Sequence, residues 1–410
     1  MQTSILQTLL DTPAGQEADK ILRSCVHCGF CTATCPTYQL LGDELDGPRG
    51  RIYLIKQALE GQPVSRRTQY HLDRCLTCRS CETTCPSGVR YGRLVDIGRE
   101  LMSTQVPRPW GERLMRQGLR RILPYHRRFG PLLRLGQLAR PLLPLPLRVK
   151  VPPRQAATDW PKGRHKRTMI VLEGCAQPAA TPNTNAATAR VLDRLGISLL
   201  RPPAQGCCGA VSYHLSASEE GLTFMRRNID AWWPAIEAGA EAILSTASGC
   251  GLMVKEYGQA LQQDPHYAKK AARVSELACD LSEILAAEDL SALAADGRGI
   301  RVAFHAPCTL QHGMQLNGVV EKILQRLGFT LMPVADGHLC CGSAGTYSIL
   351  QPSLSQQLLE NKLSALQSGK PDLIATANIG CQLHLDGKAI TPVRHWIELV
   401  DDARVKSTTG

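Results

Sequence analysis

Eight cysteines in the first quarter of the chain follow one spacing twice. The first set is Cys25, Cys28, Cys31 and Cys35 followed by Pro36, and the second is Cys75, Cys78, Cys81 and Cys85 followed by Pro86. Both sets read C-x2-C-x2-C-x3-C-P, the run that holds iron–sulfur clusters in two-cluster bacterial ferredoxins. Structural zinc and disulfides are the alternatives, but zinc sites use two close pairs of ligands rather than runs of four ending in proline. The spacing therefore predicts two [4Fe-4S] clusters.

The fourth cysteine of such a run usually ligates the other cluster. Three closely spaced thiolates can surround one corner of the iron–sulfur cube, whereas a short loop does not easily reach the fourth iron. We therefore expect crossed ligand sets. The first cluster is assigned to Cys25, Cys28, Cys31 and Cys85, and the second to Cys75, Cys78, Cys81 and Cys35.

Helices are expected to position these two cysteine loops. The predicted helices are residues 1–24, a helix from Arg49 to Glu60 between Pro48 and Gly61, a helix near Arg67 to Arg74, and one after Gly88. Corresponding cysteines lie 50 residues apart, as Cys25 and Cys75 do, which is too far for a compact small ferredoxin. The pattern instead resembles the helical ferredoxin domain in iron–sulfur subunits of succinate and glycerol-3-phosphate dehydrogenases, and we assign it to residues 1–106.

Composition limits where such a chain can work. It has 410 residues, enough for two or three domains, and 17 cysteines. The segment from Met1 to Leu10 lacks the basic start of a secretory signal, so metal binding is favoured over disulfides. No stretch approaches the roughly 18 apolar residues that span a bilayer. We therefore expect a cytoplasmic protein that is soluble or at most sits on a membrane surface.

The net charge of +11 is concentrated in a connector at residues 107–166. Between Arg108 and Arg154 there are twelve basic residues and one acid, Glu112. Prolines are expected to limit each helix of this connector to a few turns. A packed linker, an anionic lipid surface and a partner subunit remain open as explanations of the charge. Nucleic acid is not expected, because aromatic residues form only 5% of the chain and no helix-turn-helix pattern is present.

A second duplication follows the connector. Cys175, Cys207 and Cys208 recur 133 residues later as Cys308, Cys340 and Cys341, and Cys250 recurs 131 residues later as Cys381. Buried strands and glycine-capped helices recur with them, which predicts a small α/β unit in each half, at residues 167–298 and 299–410. Cysteines at strand ends are then expected near the cleft between the two halves.

The phrases Gly206-Cys-Cys-Gly209 and Cys340-Cys341-Gly342 resemble the CCG domain, a duplicated cysteine-rich module. The family pattern ends in C-x2-C, but here Met253 and His384 take the place of the last cysteine. The eight cysteines of the two halves are therefore either a further cluster or redox site, or buried thiols that pack as small hydrophobes. Cys279 lies outside every phrase and is expected to be simply buried.

Together these parts resemble the family of iron–sulfur subunits of glycolate oxidases, an α+β multidomain chain with a helical ferredoxin domain before a duplicated α/β CCG pair. The resemblance implies an oxidoreductase in which FAD-binding partner subunits oxidise glycolate, and also D-lactate, while this chain passes single electrons to a quinone-type membrane acceptor. No catalytic residue and no FAD site are expected in this chain, because no glycine-rich phosphate cradle is present.

Three other functions stay open from the sequence. Related iron–sulfur subunits serve lactate and anaerobic glycerol-3-phosphate dehydrogenases. A subunit resembling heterodisulfide reductase would itself carry out thiol or disulfide chemistry at the CCG cysteines. A non-catalytic scaffold would join flavoproteins without carrying electrons.

Overall fold

The computed structural model describes residues 1–144, 148, 151–156, 158–293 and 296–403. It divides into two compact units. The first unit comprises Met1–Gln117, His214–Ala217 and His338–Lys362, and the second unit comprises the remaining residues. The boundaries of the four predicted segments stay a prediction.

The first unit is helical. Its helices before the connector are α1 (Gln7–Leu10), α2 (Pro13–Ser24), α3 (Pro36–Leu41), α4 (Pro48–Leu59), α5 (Arg66–Asp73), α6 (Ser80–Thr83) and α7 (Tyr91–Gln105). The single helix predicted over residues 1–24 is wrong. The Thr12 side chain accepts a hydrogen bond from the Gly15 amide at 3.1 Å and starts α2, with Pro13 as its first residue. Both residues favour a new helix start, which separates α1 from α2.

Helices α4 and α7 form the core of the first unit. Ile52, Ile55 and Leu59 are buried on one face of α4, and Leu94 is buried on α7. A Cβ atom at Gly98 would lie 2.6 Å from Ile55 Cγ1, so glycine lets the two helices approach closely. This contact fixes the separation of the two cysteine loops, since one loop precedes α4 and the other precedes α7.

The described part of the connector contains the helices α8 (Trp110–Ile122) and α9 (His126–Ala139). The prolines limit each of these helices to about four turns, as expected, although Pro131 lies inside α9. Pro131 is exposed, so water can bind the carbonyl that loses its amide donor. Its helix reaches 14 residues.

Two four-stranded parallel sheets organise the second unit. The first contains β1 (Arg167–Val171), β2 (Ile197–Leu200), β3 (Ile243–Ser245) and β4 (Ala278–Asp280) in the order β2-β1-β3-β4. The second contains β5 (Arg301–His305), β6 (Thr330–Leu331), β7 (Leu373–Thr376) and β8 (Val393–His395) in the equivalent order β6-β5-β7-β8. The predicted α/β duplication and the α+β fold class are confirmed.

Helices connect these strands in both repeats. After α9 they are α10 (Gln177–Ala180), α11 (Pro182–Arg194), α12 (Ala210–His214), α13 (Ser218–Glu237), α14 (Ser248–Lys255), α15 (Tyr257–Ala260), α16 (Ala268–Leu277), α17 (Leu281–Ala287), α18 (Val319–Arg326), α19 (Tyr347–Leu350), α20 (Pro352–Gln367), α21 (Ile379–Asp386) and α22 (Trp396–Asp402). Of these, α19, most of α20 and the last residue of α12 belong to the first unit.

The two repeats share one hydrophobic core. Val171 of β1, Phe304 of β5 and Trp396 of α22 belong to the same buried cluster. Helix α11 of the first repeat packs on α22 of the second, while α18 of the second packs on α17 of the first. This reciprocal packing is the pattern that a pseudo-twofold axis produces.

Candidate iron–sulfur centres

The first cysteine loop folds over a space that we call the first hollow. It measures about 430 Å³ including its opening to solvent, and it is lined by Cys25, Cys28, Cys31 and Cys85 together with Cys81. The remaining lining is mainly apolar and includes Val26, Ile52 and Val89, and it contains no carboxylate. The four cysteines predicted for the first cluster are therefore gathered around one space, which His27, Arg49 and Ser87 also line.

The second hollow lies beside the second cysteine loop. It measures about 290 Å³ including its opening to solvent, and its lining includes Cys35, Cys75, Cys78 and Cys81. Pro48, Cys81 and Tyr91 line both hollows and so form a common wall between them. Because Cys81 reaches both spaces, the crossed ligand assignment stays a prediction, although each predicted set of four surrounds its own hollow.

The two loops have the same backbone shape. Positive φ angles occur at His27 (57°) and Gly29 (86°), and again 50 residues later at Thr77 (54°) and Arg79 (61°). Such angles are uncommon for non-glycine residues and are retained where the surroundings enforce them. The turn directs the Thr77 amide at the Cys75 sulfur, 3.3 Å away. An amide donor in this position stabilises negative charge on a thiolate.

A buried ionic network supports the second hollow. The Asp46 carboxylate is fully buried, and it accepts hydrogen bonds from Arg74 at 2.6 Å, His71 at 3.1 Å and Arg51 at 3.4 Å. Arg51 also donates to the Thr37 hydroxyl at 3.1 Å, and this hydroxyl lies 3.3 Å from the Cys35 sulfur. The network thus ties a predicted ligand of the second cluster to helix α4.

The sequence phrase Asp46-Gly-Pro-Arg-Gly-Arg51 supplies most of this network, but its role was not predicted. Pro48 begins α4, and a Cβ atom at Gly50 would lie 2.1 Å from the Glu44 carbonyl oxygen. Arg51 is buried and lines the second hollow. Charged residues beside glycine and proline, placed between two metal-binding loops, are the signal that could have indicated the role.

The packed thiols strongly prefer the neutral form unless a cation joins them. Burial, helped by the neighbouring Cys25, raises the pKa of Cys31 to about 11. Burial and the adjacent Cys78 and Cys75 likewise raise the pKa of Cys81 well above its usual range. Iron supplies the positive charge that such a set of sulfurs needs. The donor set and the carboxylate-free lining therefore fit an iron–sulfur cluster in each hollow.

A third set of cysteines is assembled in the first CCG repeat. The side chains of Cys175, Cys207, Cys208 and Cys250 form a chain in which each thiol contacts the next. Hydrogen bonding to Cys207 and burial raise the pKa of Cys175 well above its ordinary value. The structure thus gathers four sulfurs that lie far apart in the sequence.

Buried polar side chains hold the paired cysteines of this repeat. Asn228 donates to the Cys207 carbonyl at 2.8 Å and accepts from the Gly206 amide at 2.9 Å. The Tyr257 hydroxyl donates to the Cys208 carbonyl at 2.8 Å. Asn228 and Tyr257 are both completely buried, so these bonds fix the backbone that presents the thiols.

The glycine after each cysteine pair is required by geometry. Gly209 and Gly342 have φ angles of 93° and 88°. Their amides lie 3.4 Å from the sulfurs of Cys207 and Cys340, respectively. A Cβ atom would approach the carbonyl oxygen of Gly221 to 2.7 Å in the first case and that of Ser355 to 2.6 Å in the second.

The cysteines of the second repeat belong to different units. Cys308 and Cys381 lie in the second unit, whereas Cys340 and Cys341 lie in the first. Cys340, Cys341 and Cys381 are buried and Cys308 is half-buried. Cys279 is also half-buried, in β4, so the expectation of a fully buried thiol is wrong. Whether the second-repeat cysteines bind a cluster stays a prediction.

Two family models match the chain. A 4Fe-4S dicluster domain matches residues 21–89, and a cysteine-rich domain named CCG matches residues 169–255 and 302–386. The glycolate oxidase iron–sulfur subunit of Escherichia coli is 62% identical over 99% of this chain and all of that protein. The chain belongs to the family of glycolate oxidase iron–sulfur subunits.

Other members and neighbours of the glycolate oxidase iron–sulfur subunit family are less similar. A probable glycolate oxidase iron–sulfur subunit of Bacillus subtilis is 31% identical over 89% of this chain and 88% of that protein. Lactate utilization protein A of Geobacillus thermodenitrificans is 28% identical over 50% of this chain and 84% of that protein. The family membership makes the chain an oxidoreductase subunit, and its domains confirm the prediction of iron–sulfur cofactors.

A solved structure shows a related fold. The crystal structure of a hypothetical protein from Helicobacter pylori covers 96% of this chain and 73% of its own, with a TM-score of 0.57 and 10% identity. At that identity the likeness concerns the fold alone. Among the described residues, no helix has the length and apolar composition needed to cross a bilayer.

Proposed function

We propose that this chain is the electron-transfer subunit of an FAD-dependent glycolate dehydrogenase that converts glycolate to glyoxylate and also accepts D-lactate. The observation that carries the proposal is the pair of sulfur-lined hollows with a common wall. The family supports the choice of substrate, since the relative that matches end to end is a glycolate oxidase subunit.

The residues of this chain would bind and insulate the redox groups. The crossed sets of four cysteines would each hold one [4Fe-4S] cluster, which takes up and releases one electron at a time. In the first hollow Cys28 is exposed, whereas in the second Cys35, Cys75 and Cys81 are buried and Cys78 is half-buried. An electron donor can therefore approach the first hollow. Because the two hollows have a common wall, an electron can pass from a cluster in the first to a cluster in the second.

Partner chains would supply the remaining chemistry. Hydride abstraction from a 2-hydroxy acid needs a flavin, and we place this FAD on partner subunits of the same complex. The electrons would then leave toward a quinone-type acceptor of the membrane.

The exposed face of α9 supports attachment to the cytoplasmic face of the inner membrane. Leu132, Leu135 and Leu138 are exposed on this helix, and Leu142 follows in the next turn with 88% of its surface accessible. Exposed arginines at 127, 128 and 134 accompany these leucines. An apolar stripe with basic neighbours suits the interface of an anionic bilayer.

Other arginines of the connector have internal roles. Arg108 donates to the Asp73 carboxylate at 2.5 Å, and Arg116 lies 3.3 Å from the same group. A test of membrane binding must therefore leave these two residues in place.

The membrane proposal can be tested with the purified complex and vesicles that contain anionic lipid. We expect Leu135→Gln combined with Leu138→Gln to reduce sedimentation with the vesicles at least fivefold. Ile390→Gln is the control, because Ile390 is 93% exposed but lies outside the connector. Equal sedimentation of both variants and wild type would show that α9 does not bind lipid.

We also propose that the four thiols of the first CCG repeat hold a further iron–sulfur cluster. The contacts among Cys175, Cys207, Cys208 and Cys250 support this assignment. The same site would serve thiol or disulfide chemistry in the alternative function. Iron beyond eight per chain, lost in Cys208→Ser, would support the cluster, whereas eight irons in both proteins would exclude it.

The proposed function itself is tested by anaerobic co-purification with the partner subunits. We expect at least eight irons per chain and reduction of the clusters, seen by electron paramagnetic resonance, when glycolate is added. D-Lactate is expected to act more slowly than glycolate. Reduction by glycerol 3-phosphate but not by glycolate would reassign the substrate, and four irons would contradict the crossed ligand sets.

A further inference from the structure

Tyr91 lies on the common wall and lines both hollows. Its side chain is only 4% exposed. The hydroxyl group makes no hydrogen bond of good geometry to the described residues. A buried hydroxyl without a well-formed hydrogen bond costs about 1–3 kcal/mol. The Cys75 sulfur contacts it, and this sulfur becomes a strong acceptor once it ligates a cluster as a thiolate.

We propose that the Tyr91 hydroxyl donates a hydrogen bond to a sulfur of the second cluster and thereby raises the reduction potential of that cluster above that of the first. The inference rests on the proposed function, because it requires both clusters. It makes Tyr91 a positioning residue for electron flow, a role that neither its sequence context nor the family models assign.

The second cluster is favoured as acceptor by the groups around the hydroxyl. The Cys75 thiol contacts the hydroxyl, and Cys81 and Arg51 are close to the same side chain. Cys75 lines only the second hollow. A phenol keeps its proton at neutral pH, so it is a donor to sulfur.

The surroundings of the two hollows differ in the same direction. Reduction of a cluster adds one negative charge, which hydrogen-bond donors and buried cations stabilise. Two arginines line the second hollow, the buried Arg51 and the half-buried Arg79, whereas the first hollow is lined by one, Arg49, which is half-buried and paired with Glu44. When one electron moves across the wall, the first side is oxidised and the second reduced, and Tyr91 keeps its proton throughout.

The test compares Tyr91→Phe with wild type in anaerobically purified chain that contains both clusters. Potentials are measured by redox titration with electron paramagnetic resonance. We expect the equilibrium constant for reduction of the second cluster to fall about tenfold, or about 59 mV for one electron. The reduction potential of the first cluster should stay unchanged. Unchanged potentials of both clusters would overturn the proposal.

Tyr347→Phe is the matched control. Tyr347 is also buried in the first unit, but its hydroxyl donates to the Arg74 carbonyl at 3.1 Å and it lines neither hollow. The substitution removes a hydroxyl of the same chemistry. Because that hydroxyl lines neither hollow, both reduction potentials should stay unchanged. An equal shift in the two variants would mean that any buried hydroxyl has the effect, and would also overturn the proposal.

Two further measurements keep the test decisive if Tyr91→Phe loses iron. Site-specific 3-fluorotyrosine at position 91 makes the phenol a stronger donor with little change of shape, and should raise the second potential. In deuterated water, the wild-type protein should also show a deuteron coupled to the reduced second cluster. This coupling should be absent from Tyr91→Phe. A wild-type iron count below eight would refute the two clusters before any titration, which separates failure of the proposed function from failure of this inference.

Discussion

His395 of the second repeat donates a hydrogen bond through Nε2 to the carbonyl of Thr246 in the first repeat, at 2.8 Å. Its Nδ1 atom accepts from the Ile397 amide at 3.2 Å. Both ring nitrogens are therefore satisfied in the neutral form. Protonation would replace the acceptor with a donor facing an amide, in a completely buried position.

This contact predicts loss of stability in acid. Burial lowers the pKa of His395 to about 4, whereas a histidine in the unfolded chain titrates near pH 6.5. Between these values the unfolded chain binds the extra proton, so stability falls as the pH falls. From pH 7.5 to pH 5 this amounts to about 2 kcal/mol. Urea unfolding of wild type and His395→Gln at both pH values should show a shallower dependence in the variant. Parallel pH curves would exclude His395 as the source.

Replacing Asp46 by Asn should destabilise the first unit and its second hollow. The substitution leaves the buried Arg51 and the largely buried Arg74 without their carboxylate. Removing one partner of a buried ion pair costs about 3–5 kcal/mol. Thermal unfolding and iron content of Asp46→Asn report the two effects, and Asp296→Asn is the control, because Asp296 makes a surface pair with Arg298. Equal stability of the two variants would contradict a role for the network.

Cys78→Ser should separate substrate oxidation from electron transfer. A serine hydroxyl is a poor substitute for a thiolate ligand, so the cluster in the second hollow should be lost or become labile. In an assembled complex we expect flavin reduction by glycolate to persist while quinone reduction falls at least a hundredfold. Stopped-flow bleaching of the flavin and steady-state quinone reduction measure the two steps. Cys279→Ser is the control, because Cys279 lies in β4 away from the cysteine phrases, and normal quinone reduction in Cys78→Ser would refute the relay.

Gly209→Ala should cost more stability than Gly239→Ala. The two glycines have nearly the same φ angle, 93° and 92°, so alanine is strained at both by about 1 kcal/mol. Only at Gly209 would the new Cβ also meet a carbonyl oxygen, at 2.7 Å, which adds about 1–3 kcal/mol. Urea unfolding of both variants isolates the contact from the backbone strain. Equal losses would show that the loop yields to make room.

The spacing of residues predicted the two cysteine loops and the duplicated strands, because each loop and each strand is recognised from a short run of neighbouring residues. Ile52, Ile55 and Leu59 repeat at helical intervals and are buried together on α4. The break at Thr12 and Pro13 was missed because the apolar pattern continues across it, although capping chemistry marks the site. The place of Pro131 inside α9 was not predicted, because solvent exposure of that residue is not visible in sequence.

The groups around the hollows depend on contacts between distant segments. Asp46 meets His71 and Arg74, and no periodicity connects residue 46 with residue 74. Tyr91 looks from sequence like an ordinary first residue of a helix, yet it separates two metal-binding loops. The short fourth strands β4 and β8 also escaped prediction, since three residues are too few to show an alternating pattern.

The reciprocal helix packing has a consequence for synthesis of the chain. Helix α11, formed from residues 182–194, is covered by α22, whose last residue is Asp402. The ribosome must therefore synthesise about 200 further residues after the first of these helices before the first repeat can complete its apolar core. Contacts across some 200 residues slow folding and leave apolar surface open to aggregation in the meantime. The nascent second unit thus keeps apolar surface exposed until α22 emerges, and loss of α22 would leave the core of the first repeat unfinished as well as that of the second.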